Sequence, residues 1–254
     1  MSRWSARRLQ LFVRPEGMVL AGARDGAPSP ELLPSPVKPE GFQQAADCLT
    51  KPQWHSSAMD IILSNRCVRY CLTEPPLRLL RSVEETILVS ATFKKIHGDL
   101  AEKLRIRVQS QPPDAGAIGA GVDESLAQSL ERLMDSAGIS RYTIRTLMDA
   151  AIEDQPAIEG WWVLVEPRWL CIFMANDAVW RHVSAHPCDD DYASRIPRLL
   201  TRLEHLTPTN GTRKVRVQTL GYPVPKDIQL PKGWELDRTG KISRLASAVV
   251  LQLH

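Results

Sequence analysis

The sequence contains no run of apolar residues long enough to cross a membrane and no regular spacing of its cysteines. A membrane-spanning helix needs about 18 consecutive apolar residues, whereas the longest candidates here, residues 161–165 and 246–251, are short. The five cysteines are an odd number, which argues against a framework of disulfides and favours a reducing compartment. We therefore expect a cytoplasmic protein without direct membrane insertion.

Net charge and aromatic content are also low, and this limits the partners that the sequence predicts. The formal net charge is +3 over 254 residues, and aromatic residues make up 6% of the chain. Proteins that bind nucleic acid usually concentrate basic residues on one face and interleave them with aromatic side chains. The short basic stretch around Arg66, Arg69 and Tyr70 is too sparse for that pattern. It favours an acidic protein partner or a solvated surface, and we expect no nucleic-acid partner.

The chain lacks the short motifs that most often mark catalytic or phosphate-binding sites. It contains no Gly-x-Ser-x-Gly, no P-loop, no Gly-x-Gly-x-x-Gly and no His-Glu-x-x-His. Residues 182–189 (HVSAHPCD) include four possible metal ligands, but no second pair of ligands follows at a usual spacing for zinc. The acidic run at residues 189–191 is better explained as the cap of a following helix. We therefore expect no catalytic residue, no metal and no bound cofactor.

One short turn, in contrast, occurs twice. Residues 11–20 read LFVRPEGMVL and residues 163–172 read VLVEPRWLCI, so in each case two apolar runs flank a proline between two charged residues. Proline presets the backbone angle that a turn needs, and the β-rich runs on either side predict a hairpin. Two similar hairpins far apart in one chain predict two related lobes.

Blocks of strands and helices alternate along the chain, which indicates the α/β class. We predict a first lobe at residues 1–109, a helical connection at residues 110–159 and a second lobe at residues 160–254. Residues 24–57 contain six prolines and are predicted to be mostly a mobile loop or extended linker, with a helical turn at residues 45–49, because proline disfavours helix interiors and central strands. Residues 242–253 fit either a helix or a strand.

Apolar periodicity adds four helices to this outline. Apolar residues three or four apart predict a helix at residues 83–104 and another at residues 196–206. Two more fall within the connection: one that Asp123 caps and Gly138 ends, and one with its apolar face at residues 144–152.

Trp161 and Trp162 are adjacent in the second hairpin. Side chains alternate along a strand, so the two indole rings are expected on opposite faces of the sheet. One ring is expected to fill the core. The other needs a helix or a partner over it, since large exposed aromatic side chains favour interfaces. Together with Arg66, Arg69 and Tyr70, these tryptophans form the candidate partner interface.

Four segments of the chain carry a likeness to a known family. The first contains Leu-Ser-Asn and Val-Arg-Tyr within IILSNRCVRY, and the others cover a helix, the Trp-rich hairpin region and a later helix. The segments are residues 61–70, 84–104, 160–180 and 198–203. In these segments the chain resembles the actin-like proteins of type IV pilus machines (PilM-like) and the cytoplasmic half of the L protein of type II secretion (GspL-like).

The resemblance implies an actin-like fold, in which two ribonuclease-H-like halves each open with a β-hairpin. In the ATPases of this family the hairpin tips supply Asp and Gly and hold phosphates with backbone N–H groups. Here the tips are residues 14–17 (RPEG) and 166–169 (EPRW). Neither tip contains an Asp, and Pro15 and Pro167 each remove one N–H donor.

The resemblance and these departures together predict a non-enzymatic cytoplasmic scaffold. It would dock components of a bacterial type IV pilus or type II secretion apparatus and be recruited to the inner membrane by a partner. The implied partners are the assembly ATPase and the cytoplasmic tail of an inner-membrane protein. The alternative is an ATP-binding actin-like ATPase with a degenerate nucleotide site.

Overall fold

The computed structural model describes residues 8–22, 29–37, 39–54, 58–112, 115–153, 159–189, 191–207, 213–220 and 228–237. The residues predicted as helix or strand at 242–253 lie outside this part of the chain. The described strands are β1 (Arg8–Arg14), β2 (Gly17–Gly22), β3 (Glu31–Leu33), β4 (Ala58–Leu63), β5 (Val68–Leu72), β6 (Leu104–Gln109), β7 (Ile118–Asp123), β8 (Arg141–Thr146), β9 (Gly160–Glu166), β10 (Trp169–Asn176), β11 (Val179–Pro187), β12 (Lys214–Thr219) and β13 (Glu235–Asp237). The described helices are α1 (Pro39–Leu49), α2 (Ser82–His97), α3 (Glu124–Ser136), α4 (Leu147–Ile152) and α5 (Tyr192–Leu206).

The described residues form two compact units. The first unit draws on residues 1–68 and 122–154, and the second on residues 69–121 and 155–242. Each unit is therefore assembled from separate stretches of the chain. Within the described residues, no helix combines the length and the apolar character that crossing a membrane requires.

A five-stranded sheet with the order β3-β2-β1-β4-β8 forms the centre of the first unit. β1 and β2 are antiparallel, as are β2 and β3, whereas β4 runs parallel to β1 and β8 runs parallel to β4. Phe12, Val19 and Ile61 are fully buried. The apolar runs at residues 11–13 of β1, 18–21 of β2 and 61–63 of β4 are typical of strands that are covered on both faces.

The second unit contains a sheet with the same plan. Its order is β11-β10-β9-β12-β13, again with antiparallel pairs on one side and parallel pairs on the other. The hairpin β1–β2 and the hairpin β9–β10 thus occupy the same place in two sheets of identical strand order and direction. The α/β class and both predicted hairpins are confirmed.

α5 covers one face of the second sheet. Asp191 caps this helix by accepting a hydrogen bond of 3.2 Å from the backbone N–H of Ser194, which confirms the predicted cap for that aspartate. Pro197 lies within the helix. The shared core contains Ile196, Leu199, Leu200 and Leu203 of the helix and Trp161, Val163, Leu170, Ile172 and Met174 of the sheet.

A three-stranded sheet with the order β5-β7-β6 also belongs largely to the second unit. α2 packs on it through Val89 and Phe93, which are fully buried. A Cβ atom at Gly119 would lie 2.5 Å from Cγ1 of Val89 and 2.8 Å from Cε2 of Phe93. This glycine therefore allows the helix to approach the sheet closely.

The prediction that residues 24–57 are mostly a mobile loop is wrong for the described part of that segment. Glu31–Leu33 form β3 at the edge of the first sheet, and Pro39–Leu49 form α1. Proline is tolerated in the first turn of a helix, where its missing N–H has no partner to lose. Pro39 begins the helix, so the density of prolines did not prevent one.

Two further expectations differ from the structure. α2 ends at His97, because Gly98 adopts a φ of 59° and closes the helix; Leu104, expected in this helix, begins β6. The connection predicted as helical at residues 110–159 also contains β7 and β8. Ile144 is spaced from Leu147 as on a helical face, but it lies in β8.

The start of α4 is fixed by its cap. Thr146 Oγ1 accepts a hydrogen bond of 3.0 Å from the backbone N–H of Asp149, and the carboxylate of Asp149 accepts one of 3.0 Å from the backbone N–H of Thr146. This capping box makes Leu147 the first helical residue.

Candidate functional site

The first hairpin tip, residues 14–17, contacts its own unit. Arg66 donates a hydrogen bond to the carboxylate of Glu16 and forms an ion pair with it. A Cβ atom at Gly17 would lie 2.8 Å from the backbone oxygen of Leu33 in β3. The glycine of this tip therefore allows the close approach of a neighbouring strand.

The backbone of the second hairpin tip is occupied by groups of the second unit. The hydroxyl of Tyr192 accepts a hydrogen bond of 3.1 Å from the backbone N–H of Arg168 and donates one of 3.3 Å to the backbone oxygen of Glu166. The N–H of Cys188 donates to the carbonyl of Arg168 over 3.0 Å. A phosphate cradle needs N–H groups that point at the ligand, but the Arg168 N–H is already used and Pro167 has none.

Arg66, Arg69 and Tyr70 do not form an exposed basic and aromatic patch. Arg66 is half-buried in a single helical turn and pairs with Glu16. Arg69 is half-buried in β5, and Tyr70 is buried with 8% of its surface exposed. Burial, followed by the charge of Arg69, lowers the pKa of His97.

Trp161 and Trp162 lie on opposite faces of β9, as alternation predicts, but both are buried. Both rings are covered within this chain, so the alternative that a partner covers one of them is not needed. The ring of Trp162 stacks on Phe173 with centroids 5.7 Å apart, and the guanidinium of Arg216 lies 4.6 Å from its centroid. Trp162 is therefore a core residue that also makes a cation–π contact.

An exposed apolar surface that the sequence analysis missed lies at the start of α2. We call it the apolar ridge, and it consists of Leu77, Leu79, Val83 and Ile87. Leu79, Val83 and Ile87 are 71%, 68% and 63% exposed, respectively. Their spacing of four residues aligns Val83 and Ile87 on one side of the helix. The signal was present in the sequence, but α2 has apolar residues on two sides, and Val89 and Phe93 are the ones that face the core.

The residues beside the ridge carry both signs of charge. Arg78 Nη2 and Glu84 Oε1 form an ion pair at 2.6 Å. The same carboxylate accepts a hydrogen bond of 2.8 Å from the backbone N–H of Arg81, which closes the first turn of α2. These contacts hold the loop residues of the ridge against the helix.

His182, Ser184 and His186 line the α5-facing side of β11. Ser184 Oγ lies 2.7 Å from Nε2 of His182 and 2.9 Å from Nε2 of His186, so one hydroxyl bridges two imidazoles. Burial lowers the pKa of His182 to about 4. In the part of the chain that the structure describes, no group of three or more His, Cys, Asp or Glu side chains is arranged to hold a metal ion.

Comparison with known proteins identifies structures that share this fold. No family model and no curated protein matches the chain. The structure is similar to the cytoplasmic domain of EpsL, an inner membrane component of the type II secretion system of Vibrio cholerae, with a TM-score of 0.63 and 11% identity over 97% of this chain and 95% of that one.

Two further structures share the fold. A Bacteroides thetaiotaomicron protein of unknown function with an actin-like ATPase fold has a TM-score of 0.53 and 10% identity over 85% of this chain and 82% of that one. The PilM–PilN type IV pilus biogenesis complex matches with a TM-score of 0.51 and 12% identity over 81% of this chain and 70% of that one. The chain therefore has the actin-like fold, and the resemblance drawn from its sequence is confirmed at the level of structure.

Proposed function

We propose that this chain is a non-enzymatic cytoplasmic scaffold that docks components of a bacterial type IV pilus or type II secretion apparatus. The observation that carries the proposal is the state of the two hairpin tips. Pro15 and Pro167 provide no N–H donor, and the N–H of Arg168 is bound by Tyr192 at 3.1 Å. A scaffold keeps the actin-like shape without these donors, whereas a nucleotide site depends on them.

The proposed partners are the cytoplasmic tail of an inner-membrane protein and the assembly ATPase of the same apparatus. A structural neighbour described as an inner membrane component and another described as a PilM–PilN complex support a partner at the inner membrane. Such a partner would recruit the chain to the membrane surface. Of the interface residues proposed from the sequence, only Arg66 and Arg69 retain appreciable exposure, since Tyr70 and both tryptophans are buried.

The apolar ridge is the surface that best fits the tail. From Val83 to Ile87 the helical part of the ridge rises by about 6 Å. That length matches about two residues of an extended peptide, and Leu79 extends the ridge before the helix. A short tail with apolar side chains would cover Val83 and Ile87, which are otherwise exposed to water.

We expect the double substitution Val83→Asp and Ile87→Asp to weaken binding of the tail about tenfold or more, because it places charge within an apolar contact. Isothermal titration with a synthetic peptide would measure the affinity. The peptide is the cytoplasmic tail of an inner-membrane pilus or secretion protein from the organism that encodes this chain. Both positions are more than 60% exposed, so the thermal unfolding midpoint should stay close to that of the parent protein.

Leu206→Asp provides the matched control. Leu206 lies on α5 of the same unit and is 66% exposed, so its substitution adds charge at a comparable site away from α2. Equal losses in the two variants, or no loss in either, would exclude the ridge as the docking surface.

The second candidate function is ATP binding, because Arg14 and Arg168 stand at the tips, where their guanidinium groups offer charge to a phosphate. A ligand at about 100 times its Kd stabilises the folded state by about 2.7 kcal/mol. We expect a titration with Mg-ATP to change the thermal unfolding midpoint no more than a titration with Mg-GTP does. A saturable rise of the midpoint with Mg-ATP but not with Mg-GTP would contradict the scaffold proposal and favour an ATP-binding protein.

A further inference from the structure

The strand β11 presents three polar side chains in a row beneath α5. His182, Ser184 and His186 are each partly exposed, and the serine hydroxyl is hydrogen-bonded to both imidazoles at 2.7 and 2.9 Å. Thr207 Oγ1, just beyond the end of α5, lies 3.4 Å from Nδ1 of His182. β11 is an edge strand of its sheet, so this row opens to solvent along the seam between strand and helix.

Two arginines of α5 line the other side of that seam. Arg195 and Arg202 are seven residues apart, so they share one side of the helix, and both are exposed. Their charges act on the imidazole of His186. Within the described residues, neither guanidinium forms a hydrogen bond or an ion pair with a carboxylate.

We propose that this seam binds an anion of the phosphate type, held by Arg195 and Arg202 and by the imidazole of His186. Guanidinium groups bind phosphate oxygens with strong charge-assisted hydrogen bonds. The hydroxyl of Ser184 holds Nε2 of His186 at 2.9 Å, which leaves Nδ1 of that ring as the donor on the opposite wall. His186 pairs with Leu170 beside the second hairpin tip, and none of the seam residues lies on α2, so the site is independent of the proposed docking surface.

The charges around the seam favour an anion there. Asp191 at the start of α5 accepts the N–H of Ser194 and also interacts with Arg198, and Glu204 is paired with Arg213 at 2.7 Å. The acidic groups of α5 are thus engaged elsewhere.

The same charges predict how binding depends on pH. Burial, followed by Arg195 and Arg202, lowers the pKa of His186 below its ordinary value. A bound anion opposes that effect and raises this pKa, so an anion of fixed charge should bind more tightly as the pH falls through the range in which His186 takes up a proton.

Nuclear magnetic resonance of the imidazole groups tests the proposal on the whole chain. Inorganic phosphate, added at constant ionic strength against sodium chloride, should shift the His186 signals in a saturable way and move its titration midpoint upward. Arg195→Gln or Arg202→Gln should each weaken phosphate about tenfold, because each removes a charged hydrogen-bond donor.

Arg198→Gln is the matched control, since Arg198 is an exposed arginine of the same helix that interacts with Asp191. It should bind phosphate like the parent protein. Equal responses to chloride and phosphate, or equal weakening by Arg198→Gln and Arg202→Gln, would overturn the proposal.

A second arm separates the two sources of a phosphate group. Sedimentation with vesicles of phosphatidylglycerol, compared with vesicles of phosphatidylcholine, reports binding to a lipid headgroup. Glycerol phosphate reports binding to a free phosphate monoester. Binding that depends on Arg202 in either arm supports the site and identifies the source, and the absence of such binding in both arms contradicts it.

Discussion

Replacing Arg145 with alanine should lower the free energy of unfolding by about 3–5 kcal/mol, because it leaves a buried carboxylate without its charged partner. The side chain of Asp60 is only 4% exposed and pairs with Arg145 across the parallel strands β4 and β8. Arg145 Nε donates a hydrogen bond of 2.9 Å to Asp60, and Thr143 donates one of 2.7 Å to the same oxygen. Urea denaturation followed by circular dichroism would measure the loss.

The exposed pair Lys94–Glu102 is the control for this experiment. Its side chains are 63% and 65% exposed, so Lys94→Ala should leave the denaturation midpoint close to that of the parent protein. The double variant Asp60→Asn with Arg145→Met removes both charges together, and it should recover part of the stability that Arg145→Ala loses. If Arg145→Ala cost no more than Lys94→Ala, the buried pair would not stabilise the first sheet.

Trp162→Ala should lower the free energy of unfolding by about 3–5 kcal/mol, the usual cost of removing a large aromatic side chain from a core. Only 1% of Trp162 is exposed, and its substitution removes the stacking with Phe173 and the contact with Arg216. Chemical denaturation measures the change, and the near-ultraviolet circular dichroism should lose aromatic signal.

Trp162→Phe keeps a ring in the same place and should cost clearly less than Trp162→Ala. This comparison also separates a core role from an interface role. A Trp162→Ala protein with parental stability and a selective loss of partner binding would restore the interface that the sequence first suggested.

The two hairpins were predictable because their signals are local. Val13 and Val165 end apolar runs directly before a proline-containing turn, and adjacent residues of this kind determine a hairpin with little help from the rest of the fold. The likeness between the two sheets then followed from the repetition of that short pattern.

The burial of Tyr70 and Trp162 was not predictable from local pattern. Alternation places neighbouring side chains on opposite faces, but it does not say which strand is central and which faces are covered. That depends on strands distant in sequence, such as β12, which pairs with β9.

The predicted helix boundaries were wrong for a related reason. Ile144 extends the apolar spacing of α4 backward by one turn, and only the pairing of β8 with β4 shows that it belongs to a strand. Val83 and Ile87 were overlooked because the buried face of α2 accounts for the helix by itself. The helix periodicity is visible in the sequence, but which of its two apolar sides is buried depends on the sheet that the helix packs against.

The split of the first unit along the chain has a consequence during synthesis. Asp60 of β4 and Thr143 of β8 are 83 residues apart, and residues 69–121 between them belong to the other unit. At elongation rates of about 5–20 residues per second the ribosome needs roughly 4–17 s to make that interval. Until β8 has been made, β4 has an open edge and the carboxylate of Asp60 lacks its partner Arg145. A charged side chain at an open edge disfavours pairing with other strands, so Asp60 should protect β4 from mispairing during this interval.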